Sequence, residues 1–197
     1  MTETFEQLLE KYQQYNKYSN EWLIQEIQSN HSHEYLYFYE TDKPGIISKG
    51  CFCQWHQSDF VIDGITYSTA EKYMMAMKAK MFNDDEIFQK IIQTNDPETA
   101  KRLGRQVKGF DNDIWEIYRM AIVFNGNVAK FSQNEQLKQF LLSTGKSILV
   151  EASFRDTIWG IGLSEKEAMK VTPSEWKGRN LLGYSLMAVR DYITEKK

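Results

Sequence analysis

Glu71 and Lys78 lie seven residues apart in the run Ser68-Thr69-Ala70-Glu71-Lys72-Tyr73-Met74-Met75-Ala76-Met77-Lys78-Ala79-Lys80. At about 100° per residue, that spacing brings both side chains onto nearly one line of a helix. An acid and an amine at the margin of a buried face can sit in a cleft with altered proton affinities. The structural alternative is the commoner one. Glu71, three residues after Ser68, fits a capping box, and Lys78 fits a stem laid along the core edge. A second group is Glu151-Ala152-Ser153-Phe154-Arg155-Asp156-Thr157-Ile158-Trp159-Gly160-Ile161-Gly162. Here Asp156 can hold a sugar hydroxyl or a base edge, Trp159 can stack on a flat ring, and Gly160 and Gly162 allow close backbone approach. A tight glycine turn around a core tryptophan fits the same residues. It is not the Gly-x-Gly-x-x-Gly phosphate fingerprint, which needs a third glycine. Arg105, just past Gly104, can clamp a phosphate with its guanidinium fork or serve as a surface ion-pair partner.

The elements that must position these groups follow from periodicity and punctuation. Ala70, Tyr73, Met74, Met77 and Met81 recur at helical spacing and predict a helix with one core stripe. Phe60 to Tyr67 predicts a hairpin about Asp63-Gly64. Helices are expected over Asp84 to Thr94, from Asp96-Pro97 to about Gly104, over Asp111 to Asn125 with Ile114, Trp115, Tyr118, Ala121 and Ile122 as its apolar face, and over Asn134 to Ser143. A short helix opens at Ser164 and a closing one runs from Leu181 to Tyr192. Glu34 to Glu40 and Ser147 to Ala152 read as strands, and Thr41 to Gly45, including Pro44, as a turn. The first unit, Thr2 to Ser29, has helical spacing interrupted near Asn16 to Asn20. The expected fold class is α+β, a mostly helical single domain with a small β-sheet built from the Tyr35, Phe60 and Leu149 segments.

The 197 residues are 42% hydrophobic, enough for one domain with a sizeable core. A net charge of −3 leaves no global basic footprint for non-specific nucleic-acid binding, though a local basic groove stays compatible with it. Cys51 and Cys53 have poor spacing for structural zinc, and no standard ligand pattern links them to His31, His33 or His56. Two cysteines do not make a disulfide-built secreted fold. The sequence shows no leader pattern and no apolar run near the ~20 residues of a membrane helix. A cytoplasmic location is expected.

Several segments occur together and in a fixed order. They are Phe38-Tyr39, Phe60 to Gly64, Tyr67 to Ala79, Leu103-Gly104-Arg105, Trp115, Lys130-Phe131, Leu141 to Gly145, Val150 to Ser153, Asp156 to Gly162, Trp176 to Gly183 and Leu186 to Arg190. With this ordered set the chain resembles the NADAR superfamily, which includes the YbiA-like riboflavin-intermediate N-glycosidases. The resemblance covers roughly Tyr35 to Ile193, which leaves residues 1–33 as an N-terminal helical extension to a domain spanning 34–197. Two departures stand out. Cys51-Phe52-Cys53-Gln54-Trp55 occupies the place of a Ser-Asn-Phe-type segment, and Lys72 stands where many members have histidine.

The resemblance implies cleavage of an N-glycosidic bond between ribose and nitrogen, in a phosphoribosylamino-pyrimidine of riboflavin synthesis or in ADP-ribosylated guanine. It implies no metal and no organic cofactor. Glu71, Lys78 and Asp156 are the implied catalytic residues: Glu71 shuttles the proton, and Asp156 holds the ribose and offsets positive charge. Lys78 either binds phosphate and tunes Glu71, or attacks C1′ to form a Schiff base. Implied substrate-binding residues are Tyr39, Arg105, Trp115, Trp159, Gly160, Gly162, Arg179 and Asn180. Trp115 and Trp159 serve equally well as core packing, and Asn180 as cap of the closing helix. The expected partner is a small nucleotide or phosphoribosyl substrate, with ADP-ribosylated nucleic acid as a larger alternative. Two non-catalytic readings remain beside the enzyme: an ADP-ribose or NAD sensor, and an interaction protein that docks through Tyr12, Tyr15, Tyr18 and Trp22.

Overall fold

The computed structural model describes residues 3–43 and 45–196; the expectations at Met1, Thr2, Pro44 and Lys197 lie outside the described residues. Contacts among the described residues gather into two compact units, one formed by residues 3–14 and 54–135, the other by 15–43, 45–53 and 136–196. The class is α+β and mostly helical, as the sequence leads one to expect.

In the first unit, α1 (Phe5–Gln13) opens with a complete capping box between Thr4 and Gln7 and packs against α6 (Asn112–Gln133). Strands β2 (Phe60–Ile62) and β3 (Ile65–Tyr67) form the expected hairpin. Asp63 and Gly64 both adopt positive φ, 51° and 76°, as a type I′ turn demands. The central helix α3 (Ala70–Met81) packs against α6, against α4 (Asp85–Gln93) and against α5 (Pro97–Gly104). Because neighbours surround it, α3 buries every residue from Ala70 to Met77 together with Ala79. The single core stripe expected from its pattern is therefore too narrow. An Ala- and Met-rich helix accommodates packing on all sides because its side chains are small or pliable.

Helix α6 runs eight residues past its expected end at Asn125. Gly126 does not stop it. A Cβ there would sit 2.5 Å from the Tyr73 ring, so the glycine lets α3 approach closely, and burial outweighs its poor helix propensity. The apolar face expected at the start of α6 is also revised. Ile114 is 43% exposed, while Trp115 and Arg119 are the residues buried there.

In the second unit, α2 (Asn20–Gln28) is capped by Ser19. Strand β1 (Tyr35–Phe38) pairs in parallel with β4 (Ile148–Glu151), Tyr35 opposite Ile148 and Phe38 opposite Glu151. The expected single sheet is thus two separate ladders, because Phe60 pairs only within its own hairpin. A chain of rings, Phe38 to Phe52 to Phe140, packs beside β1 at centroid distances of 5.6 and 5.4 Å. Phe140 belongs to α7 (Glu135–Ser143), which ends at Gly145 with φ 56°. The short α8 (Glu165–Ala168) has its capping box at Ser164 and Glu167. Helix α9 (Leu181–Glu195) lies on β4, where a Cβ on Gly183 would run into the Leu149 carbonyl. Buried Arg190 of α9 donates to Thr144 Oγ1 at 2.8 Å and to the Ser147 carbonyl at 2.9 Å, tying the helix to the α7–β4 connection.

Candidate active site

Helix α3 is started by Thr69, whose hydroxyl accepts the Lys72 N–H at 3.1 Å. The Ser68–Glu71 capping box does not form. The Glu71 N–H donates instead to the Gln54 carbonyl at 3.0 Å, and the residue is only 3% exposed. Two turns on, Lys78 is half-buried. Its Nζ stands 3.9 Å from the centroid of the Phe110 ring and 5.9 Å from that of Trp115. Among the described residues no carboxylate pairs with it. Burial is the main cause that pulls the Lys78 proton affinity below the ordinary lysine range, and the nearby positive charge of Arg105 adds to it. Arg105 is placed by α5: Asp96 and Pro97 start that helix, and Gly104 ends it against Met75, where a Cβ would collide with the Met75 side chain. Arg105 itself is exposed at the helix end. Lys72 is buried and donates to Asn95 Oδ1 at 3.1 Å; its proton affinity too is lowered by burial.

In the second unit the segment after β4 is built on Asp156. Its Oδ1 accepts the N–H groups of Ile158 and Trp159, each at 2.8 Å. This is the local turn that aspartate makes with its own backbone, and it leaves the second carboxylate oxygen for other partners. Gly162 N–H closes back on the Asp156 carbonyl at 3.1 Å. Trp159 is half-buried. The 176–180 segment lies against this turn through Arg179 N–H to the Thr157 carbonyl and Asn180 N–H to the Gly160 carbonyl, at 3.0 and 3.1 Å. Tyr39, 39% exposed, stands 6.1 Å from the ring of Phe154.

Structure and expectation part at three positions. Asn180 is fully buried. Its Oδ1 accepts the Glu151 N–H and its Nδ2 donates to the Leu149 carbonyl, both at 3.0 Å, so it clamps β4. It precedes α9 with φ 52° and makes no side-chain cap either. Gly160 is buried where a Cβ would sit 2.9 Å from the Glu151 carbonyl, and Gly162 is buried at φ 67° with Lys177 as close. Both glycines serve chain-to-chain packing. Lys78, Arg105 and Trp115 do come together in the first unit, and Asp156, Trp159 and Arg179 in the second. Sequence reasoning missed Phe110. Its signal was present: Phe110 precedes the Asp111 cap and Trp115 lies at the fourth helical position, the spacing of a hydrophobic staple. Among the described residues no group of three or more His, Cys, Asp or Glu is placed to hold a metal, and no helix is long and apolar enough to cross a membrane.

Residues 37–194, which include every candidate residue above, match the NADAR domain. The chain belongs to the NADAR family. N-glycosidase R617 of Acanthamoeba polyphaga mimivirus is 40% identical over 80% of this chain and 95% of its own length. N-glycosidase YbiA of Escherichia coli (strain K12) is 32% identical over 69% of this chain and 76% of its own. The NMR structure of the E. coli protein YbiA resembles this NADAR chain with a TM-score of 0.68 at 28% identity, covering 84% of this chain and 88% of that one. Riboflavin biosynthesis protein VVA0006 of Vibrio vulnificus (strain YJ016) is 29% identical over 88% of this chain, which corresponds to 42% of that longer protein.

Proposed function

We propose that this N-glycosidase cleaves the bond between ribose C1′ and an exocyclic nitrogen of a base, in a phosphoribosylamino-pyrimidine or in ADP-ribosylated guanine, with Lys78 as nucleophile. The chain is a hydrolase of N-glycosyl compounds, the class to which its relatives' names assign them. The observation that carries the Lys78 role is the lowered proton affinity of an amine half-buried against Phe110 and Trp115, beside Arg105 and, among the described residues, with no carboxylate paired to it. A lysine amine in bulk water is almost wholly protonated at neutral pH, and the ammonium cannot attack.

The steps balance as follows. The lone pair of the glycosidic nitrogen expels the ring oxygen, which takes up a proton, and leaves an imine at C1′. The neutral Lys78 amine adds to C1′, and the base departs as its free amine after a proton reaches its nitrogen. Glu71 is the proposed proton shuttle for that transfer. The lysine-linked imine that remains is hydrolysed by water, which releases the sugar and restores Lys78. Asp156 is the proposed partner of ribose and of its transient positive charge. Arg105 and Arg179, both exposed, are the proposed phosphate ligands. Trp115, Trp159 and Tyr39 are the proposed ring contacts. The proposed setting is the cytoplasm, with a small phosphorylated ribosyl compound as the first substrate and ADP-ribosylated nucleic acid as the larger alternative.

The test is borohydride trapping during turnover, with each substrate class offered separately and the peptides read by mass spectrometry. Reduction should leave the sugar on Lys78 with one of the two substrates, and Lys78→Met should abolish both the adduct and, by roughly a thousandfold or more, the rate. Full turnover without a lysine-linked adduct would remove the Schiff-base role. Tight ADP-ribose binding without any turnover would favour the sensor reading.

A further inference from the structure

We infer that Asn20, in the helix ahead of the NADAR domain, is a positioning residue for substrate: it holds the 176–180 segment so that Arg179 meets the phosphate. The inference rests on the phosphate role proposed for Arg179. Asn20 opens α2, and the match to the NADAR domain begins only at residue 37. Its Nδ2 donates to the Gly178 carbonyl at 3.1 Å, and its Oδ1 accepts the Tyr184 hydroxyl at 2.9 Å. A carbonyl only accepts, so the Gly178 bond fixes which way the amide points. Gly178 is buried, and its carbonyl needs a donor inside the protein. Helix α2 is itself anchored. It packs against the short 3₁₀ helix Pro173–Glu175, and Tyr18, just ahead of it, donates to Asp191 of α9 at 2.6 Å. All of these residues belong to the second unit.

The Gly178 carbonyl and the Arg179 N–H belong to one peptide plane. Thr157 holds its N–H end and Asn20 its carbonyl end. The two groups of a trans peptide point opposite ways, so the plane is pinned from both sides. It leads directly into the Arg179 Cα, and its tilt sets where the guanidinium reaches. There is no slack toward the Asp156 turn. A Cβ on Gly178 would collide with the Gly160 carbonyl and sit 2.8 Å from the Thr157 Cα. The first turn of α2 also lies near the guanidinium. The Glu21 carboxyl is held below the usual carboxylate range first by its own N–H, then by Ser19, and last by the charge of Arg179. The Asp156 turn carries its own hydrogen bonds and does not depend on Asn20. Loss of Asn20 therefore loosens Arg179 and weakens substrate binding, while the chemical step keeps its rate.

The experiment compares the full chain with its Asn20→Ala, Asn20→Asp and Arg179→Met variants and with the Asn20→Ala, Arg179→Met double variant. Amide exchange read by NMR should be about tenfold faster at Arg179 in both Asn20 variants, because the aspartate accepts from Tyr184 but cannot donate to Gly178. Kinetics use the phosphoribosylamino-pyrimidine and the ADP-ribosylated guanine nucleotide, both of which carry phosphate, and are read on the one that is cleaved. Asn20→Ala should raise KM about fivefold with kcat within about twofold, the effect of one neutral hydrogen bond. In the Arg179→Met background it should change KM by less than about twofold, because both changes act through one guanidinium. Circular-dichroism melting places every measurement below the Tm of its variant. Unchanged exchange in either Asn20 variant, a fall in kcat in place of the rise in KM, or the same KM penalty in both backgrounds would each overturn the inference. The phosphate role is read separately. If Arg179→Met raises KM and Asn20→Ala does not, the inference fails and that role stands. If Arg179→Met leaves KM unchanged, the role fails and the inference falls with it.

Discussion

Where Lys78 sits, the side chain is held by aromatic rings and burial; where Asp156 and Asn180 sit, the chain is held by side-chain hydrogen bonds to the backbone. The first arrangement leaves a functional group chemically available, because rings and desolvation alter a lysine's proton affinity without consuming its lone pair. The second spends polar capacity on shape. One oxygen of Asp156 and both ends of the Asn180 amide are used to fold the loop and join it to β4. Substitution should therefore alter proton affinity and rate at Lys78 and stability at Asn180, while Asp156, with one oxygen in the turn and the other outside it, tests the boundary between the two.

Asn180→Ala is expected to have the largest effect on stability. It strands the Glu151 N–H and the Leu149 carbonyl in a site without exposed surface, at about 1–3 kcal/mol for each unpaired group. Thermal melting should show a clear fall in Tm, with KM near wild type at temperatures where the chain stays folded. A large rise in KM without loss of stability would restore Asn180 as a substrate contact and break the comparison. Asp156→Asn comes next. The amide oxygen still accepts the Ile158 and Trp159 N–H groups, so Tm should hold while kcat falls about tenfold through loss of the charge near the sugar. An unchanged kcat would make Asp156 a turn-former alone.

Arg105→Met is the subtlest. Arg105 helps to pull the Lys78 proton affinity down, so removing its charge lets Lys78 hold its proton to higher pH. If the neutral amine attacks, kcat rises with pH as Lys78 loses its proton, and that rising limb moves to higher pH in the variant; the profile is read on kcat at saturating substrate, because loss of a phosphate ligand raises KM as well. At a fixed pH below the limb the loss should be about twofold to threefold, and it should shrink as salt is raised, because Arg105 is exposed and screened. A limb that moves the other way, or not at all at low salt, would show that Arg105 does not reach Lys78.

Local chemistry settled a good deal of this protein. The Asp63-Gly64 turn and the caps at Asp84, Asp96, Ser164 and Ser19 are each a matter of a few adjacent residues, and the sequence displays most of them directly. The α+β class, the helix that carries Lys78 and the Asp156–Trp159 turn follow from the same short-range rules. Tertiary packing decided what depends on residues far apart in the chain. It made Thr69 rather than Ser68 the cap of α3, carried α6 past Gly126 and kept Phe60 apart from the β1–β4 ladder. It also gave Asn180, Gly160 and Gly162 a place as buried joints between segments, and set Phe110 over the Lys78 amine. A side chain's hydrogen-bonding and rotamer options are local, but whether a polar or reactive group meets water, a ring or another backbone depends on which distant segments fill the space around it.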